Sequence, residues 1–117
     1  MGVWTQPRLI ATLDTWYIDA YDYEGPTCYE LLISGPRGGN LLEKYVGETI
    51  NERRRLQSYA RYGSHIKGLI LEALGGGNRL YYRAHSHPTK DLAKRMQDRL
   101  LRDFDYPWNK ISNGKRW

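Results

Sequence analysis

The chain has 117 residues, with 18 Lys and Arg against 13 Asp and Glu, so its formal net charge is +5. That length fits one compact domain, able to bury about two thirds of its unfolded surface without a disulfide or structural metal. The lone Cys28 excludes a disulfide framework and any CxxC site and points to a reducing, cytoplasmic setting; the lack of a long apolar run or a signal pattern speaks against membrane insertion and secretion.

Residues 1–26 read as an N-terminal arm or extra strand, with some β character at 16–21, and Gly25-Pro26 marks a turn. The first clear strand is expected at 27–34, a short apolar run bounded by Gly-Pro on both sides. The stretch 35–40, rich in Gly and Asn, reads as an irregular loop too long for a tight turn. A second strand at 41–46 completes an antiparallel hairpin, and Gly47 is expected to end it. A helix follows, capped by Thr49 or Asn51, and runs to about Tyr62 with Arg53, Arg54, Arg55 and Arg61. Gly63-Ser64 breaks it, and a second helix at 65–74 places Ile66, Leu69, Ile70, Ala73 and Leu74 on one face. A third strand is expected at 80–85. A last helix opens near Pro88-Thr89 and ends about Phe104, residues 106–109 form an extended tail, and 110–117 is a basic end. The order predicts an α+β domain at 27–109, a small three-stranded antiparallel sheet flanked by helices.

Ten tyrosines against one phenylalanine, in a basic chain, suit a surface that meets phosphates and bases; a Tyr-rich core is the plainer alternative. Tyr29 and Tyr45, on neighbouring strands, can project to one face and hold a phosphate or a water between their hydroxyls. A phenol is a poor base at pH 7, because its ordinary pKa is about 10. Of Arg53, Arg54 and Arg55 at most one can point at the sheet, since successive helical residues are rotated by about 100°. In the last helix Gln97 falls inside the stripe of Leu92, Ala93, Met96, Leu100, Leu101 and Phe104. A buried amide there needs partners or costs about 1–3 kcal/mol.

Together these pieces resemble the GIY-YIG nuclease family over about 27–109. Thr27-Cys28-Tyr29 is a degenerate first motif, and Tyr45-Val46-Gly47 matches the second. Arg55 falls at the family's arginine, Tyr59 at its His or Tyr, and Asn109 in Pro107-Trp108-Asn109 at its asparagine. The ending looks most like small stand-alone phage and restriction-type members. The resemblance implies a GIY-YIG-like sandwich and an endonuclease that uses Mg2+ or Mn2+ to hydrolyse DNA, double-stranded DNA above all. Arg55 would neutralise the phosphate, Tyr29 activate or orient the attacking water, and Tyr45 bond a phosphate oxygen or that water. Tyr59 completes the cluster, His65 is a candidate proton-transfer partner, and Asn109 would position the metal site or tie the tail to the core. Arg37, Arg53, Arg54, Arg61, Lys67, Lys110, Lys115 and Arg116 would contact nucleic acid. Cutting both strands implies a homodimer or higher assembly.

Gln97 stands where the family has its metal-binding glutamate. A neutral amide is a poor ligand for a hard dication. The resemblance therefore implies either a nuclease silenced by a Glu-to-Gln difference or a member that only binds nucleic acid. Asp98 is no substitute, since it points about 100° away on the helix.

Overall fold

The computed structural model describes residues 4–18, 24–35, 37–62 and 66–112; of 61, 62 and 110–112 it describes the backbone. The elements are β1 (Arg8–Ala11), β2 (Glu24–Gly35), β3 (Gly38–Asn51), α1 (Glu52–Gln57), a π-helical segment (Ser58–Tyr62), α2 (Lys67–Gly75), β4 (Arg79–Ser86), α3 (Lys90–Asp103) and α4 (Pro107–Ser112). The strands form one antiparallel sheet in the order β1-β4-β2-β3. The α+β class holds, with four strands rather than three. Among the described residues no helix is long and apolar enough to cross a membrane.

Central β2 is buried on both faces over most of its length. On one face Tyr29, Leu31, Tyr45 and Tyr82 pack with Leu56, Tyr59, Ile66, Ile70 and Leu74 from the helices that follow β3. On the other, α3 lays Met96, Leu100 and Leu101 over Cys28, Val46 and Tyr106. Thr89 opens α3 by accepting from the Leu92 amide at 3.2 Å, and its amphipathic pattern directs the apolar stripe to the sheet. Glu30, on the α3 face, is a carboxylate 2% exposed in the centre of β2. Its burial is tolerable because Arg83 Nε donates to it at 2.5 Å and the Tyr106 hydroxyl donates to its other oxygen.

Four local expectations are refined or corrected. An N-terminal strand lies at β1, where Ile10 and Ala11 are fully buried against β4; of 16–21, Trp16 makes a single bridge to Ala11, and 19–21 lie outside the described residues. The hairpin closes tightly, with Gly35 opposite Gly38, because Gly38 and Gly39 take φ of 84° and 99°, which a side chain would resist. β3 does not stop at Gly47 but runs to Asn51, whose side chain accepts from the Arg54 amide at 2.9 Å and caps α1. Residues 107–112 form a helix rather than an extended tail, with Pro107 at the first helical position, where its missing N–H costs nothing. In addition, α1 passes into the π-helical segment at Ser58, and α2 begins at Lys67 with no side-chain cap. The Gly63-Ser64 break and His65 lie outside the described residues.

Helix α4 is fastened to the outer edge of β3. The Val46 amide donates to Asn109 Oδ1 at 2.8 Å, and Asn109 Nδ2 donates to the Val46 carbonyl at 2.9 Å. One side chain thus satisfies both backbone groups that an edge strand would otherwise leave open. Replacing Asn109 by Ala should destabilise the fold by about 2–3 kcal/mol, because both groups stay buried and unpaired. Urea denaturation reads this as a lower midpoint, and Asn109→Asp, which sets a buried carboxylate oxygen against the Val46 carbonyl, should cost at least as much at pH 7.

Candidate active site

Tyr29 lies directly opposite Gly47 in the β2–β3 register. A Cβ built on Gly47 would sit 2.5 Å from the Tyr29 hydroxyl oxygen and 2.6 Å from Cζ. The phenol therefore passes over the Gly47 backbone through space that only glycine leaves open. This close approach joins the two motifs physically, and it explains why the strand continues through a residue that sequence alone marks as a terminator.

The fully buried Tyr29 ends beside Tyr59, their hydroxyl oxygens 2.5 Å apart. Arg55 Nη1 donates to the Tyr29 hydroxyl at 3.4 Å. The Tyr45 ring centre lies 6.2 Å from that of Tyr29. Glu52, Arg55, Leu56 and Tyr59 follow the i, i+3, i+4, i+7 spacing of one helical face, so α1 and the π-helical segment turn them inward together. Arg53 and Arg54 are exposed and Arg55 is half-buried, as the 100° rotation requires.

The structure thus brings Tyr29, Tyr45, Arg55 and Tyr59 into one cluster. Asn109 stands one residue along β3 from Tyr45, bonded to Val46. Gln97 is not in the cluster: it is half-buried on α3, the helix that covers the opposite face. Arg37 is exposed at the hairpin tip, and Lys67 Nζ reaches the Ala60 carbonyl at 3.5 Å. His65, Lys115 and Arg116 and the side chains of Arg61 and Lys110 lie outside what is described. Two residues escaped the sequence reading. Tyr82 packs its ring 5.6 Å from that of Tyr29, and Glu52, 7% exposed, has its carboxyl near enough to Tyr82 to be stabilised by it. The helical spacing of Glu52 with Arg55 was the available signal.

Burial pushes the phenols of Tyr29, Tyr45 and Tyr59 above their ordinary value. All three are neutral at pH 7, and the Tyr29 hydroxyl accepts from Arg55 while sharing a hydrogen bond with Tyr59. Burial works against the Arg55 charge, but its tyrosine neighbours outweigh this and hold the guanidinium protonated. Burial also raises the Glu52 carboxyl, against the opposing influence of Tyr82 and the charge of Arg8. Beside the cluster, Arg54 and Arg55 join Thr49, Ile50, Asn51, Ser58 and Glu24 around an open cavity of about 400 Å³.

No three His, Cys, Asp or Glu side chains gather in a metal-holding group among the described residues. Mg2+ or Mn2+ takes carboxylate and phosphate oxygens, whereas Gln97 offers one neutral oxygen. This donor set does not fit a resident dication at position 97.

A cross-strand Tyr–Gly contact with an arginine returning from the next helix defines a GIY-YIG-type domain. The family described as GIY-YIG domain-containing protein matches residues 28–117, and the chain belongs to it. It is similar to the Arabidopsis thaliana Protein EFFECTOR OF TRANSCRIPTION 3, with 37% identity over 66% of this chain and 29% of that protein. It is also similar to Protein EFFECTOR OF TRANSCRIPTION 2 of the same plant, with 31% identity over 65% of this chain and 20% of that protein. The matched region thus spans less than a third of either relative. Neither is a phage or restriction enzyme by name, so the narrower likeness to such members gains no support. No solved structure matches the chain.

Two outcomes follow from this geometry. Gly47→Ala should lower the melting temperature, at a cost of about 1–3 kcal/mol for the forced shift of Tyr29. Adding Tyr29→Ala should make the Gly47→Ala cost largely disappear in a double-mutant cycle. Spectrophotometric titration at pH 11 should count fewer tyrosinates in the folded protein than in denaturant, the shortfall including Tyr29, Tyr45 and Tyr59. Equal counts would mean that these phenols are not desolvated.

Proposed function

We propose that this domain binds the phosphodiester backbone of double-stranded DNA in the cavity beside Arg54 and Arg55. Phosphodiester hydrolysis is weak or absent. The observation that carries this reading is the protonated Arg55, held against Tyr29 and Tyr59 on the cavity wall. A phosphate there meets the fixed positive charge of Arg55, whose other side rests on the buried Tyr29 phenol, with Arg54 beside it. Exposed Arg37, Arg53 and Arg54 add sequence-independent phosphate contacts.

In this reading Arg55 stabilises charge on the phosphate, Tyr29 and Tyr45 orient a phosphate oxygen or a water, and Tyr59 fixes the Tyr29 hydroxyl. A bound Mg2+ or Mn2+ would stabilise charge on the scissile phosphate and the leaving oxygen. That chemistry needs a carboxylate which position 97 does not supply. Binding without cutting also suits two relatives whose names refer to an effect on transcription. The other reading, an active endonuclease, is favoured by the retention of Tyr29, Tyr45, Arg55, Tyr59 and Asn109 together. Cutting both strands would then require two copies of the chain.

Plasmid incubated with Mg2+ or Mn2+ separates the readings. The chain as it stands should bind DNA with strong salt dependence and leave the plasmid intact, and Gln97→Glu, across the sheet from Arg55, should not by itself introduce nicking. Arg55→Ala should weaken DNA binding severalfold. Cutting by the chain with Gln97 intact would favour the active endonuclease. DNA binding that is absent or insensitive to salt would overturn both.

A further inference from the structure

On the opposite side of the sheet, away from Arg55, a second cavity of about 450 Å³ opens between β2, β4 and the end of α3. Its walls include Trp4, Phe104 and Tyr106, and its polar groups are Glu30, Glu43, Asp105 and Arg83. Three carboxylates against one guanidinium make it locally acidic in a chain of net charge +5. A phosphate would be repelled there, so this is not a continuation of the DNA surface.

The cavity already accommodates one cation. Arg83 lies over the Trp4 ring, its guanidinium carbon 4.9 Å from the ring centre, and is tied to the buried Glu30 at 2.5 Å. Glu30 is occupied on both oxygens, by Arg83 and by Tyr106. Glu43 is different: its side chain is 46% exposed and its contact with Arg83 is long, at 3.7 Å. Its carboxylate can therefore take a second cation entering from solvent. Phe104, 62% exposed on the rim, has no role in the core that would account for a bare aromatic face there.

We infer that this acidic, aromatic-walled cavity is a binding site for an alkylammonium side chain, a lysine or methylated lysine presented by a basic peptide segment. Aromatic faces attract a cation through the ring quadrupole, and methyl groups on the ammonium add apolar contact that the cavity walls can cover. The volume falls within the range of small-ligand pockets. Glu43 supplies the charge that distinguishes an ammonium from a neutral chain of the same length.

Isothermal titration calorimetry of the full chain tests this with three short basic peptides, identical except for a central lysine, trimethyllysine or norleucine. The trimethyllysine peptide should bind tightest and the norleucine peptide at least tenfold more weakly. Phe104→Ala and Glu43→Gln, both at exposed positions and so compatible with folding, should each weaken the lysine-type peptides fivefold or more. Both variants should bind DNA as the parent does, which separates failure here from failure of the DNA-binding reading. Equal binding of the norleucine peptide, no binding of any peptide at millimolar concentration, or unchanged affinity in both variants would overturn the assignment. Parallel loss of DNA binding in both would also overturn it, by making the cavity part of the DNA surface.

Discussion

The arrangement of the site depends on one close approach, the Tyr29 phenol passing over the backbone of Gly47. Because no Cβ stands in the way, the hydroxyl reaches Tyr59 and Arg55 instead of being turned aside. The same contact fixes the register of β2 on β3, with Leu31 opposite Tyr45 and Glu30 opposite Val46. A one-residue slip would send Tyr29 to the α3 face and put Glu30 among the tyrosines. Site geometry and sheet register are therefore one constraint, met at one glycine.

The two faces of the sheet do different chemical work. On the α1 side the polar groups around Tyr29 are buried phenols and the Arg55 guanidinium in their ordinary protonation states, with the Glu52 carboxyl beside Tyr82. On the α3 side a carboxylate is buried in the central strand and held by Arg83 and Tyr106. Cys28 lies on this side as well; its thiol is pushed up to about 12 by burial, with Glu30 and Glu48 adding to the effect. It is an inert core residue, in keeping with its 0% exposure.

Much of the fold was legible in the sequence, and the reasons are local. The central strands and α3 announce themselves as apolar runs or stripes bounded by Gly and Pro. What was not legible depends on partners far along the chain. β1 is four residues long and exists because β4 offers it an edge. Gly47 looked like a stop because glycine's commonest role is to break structure, whereas its absent side chain here serves a residue 18 positions earlier. The helix at Pro107–Ser112 is held by Asn109 and Trp108 against the sheet, a tertiary reason invisible in six residues. In the site, the tyrosines, Arg55 and Asn109 could be located by spacing. Tyr82 could not, because its place beside Tyr29 arises from strand pairing alone.

The Asn109 clamp has a consequence for how copies of this domain can meet. β3 is the outer strand of the sheet, and an open outer strand is a template on which another chain can extend the sheet. At Val46 that template is already filled by an amide side chain that imitates the pairing of a neighbouring strand. Sheet-to-sheet joining through the stretch that carries Tyr45 and Gly47 is thereby closed off. The residue that finishes the fold thus also blocks strand addition at the point where the motif strand carries Val46.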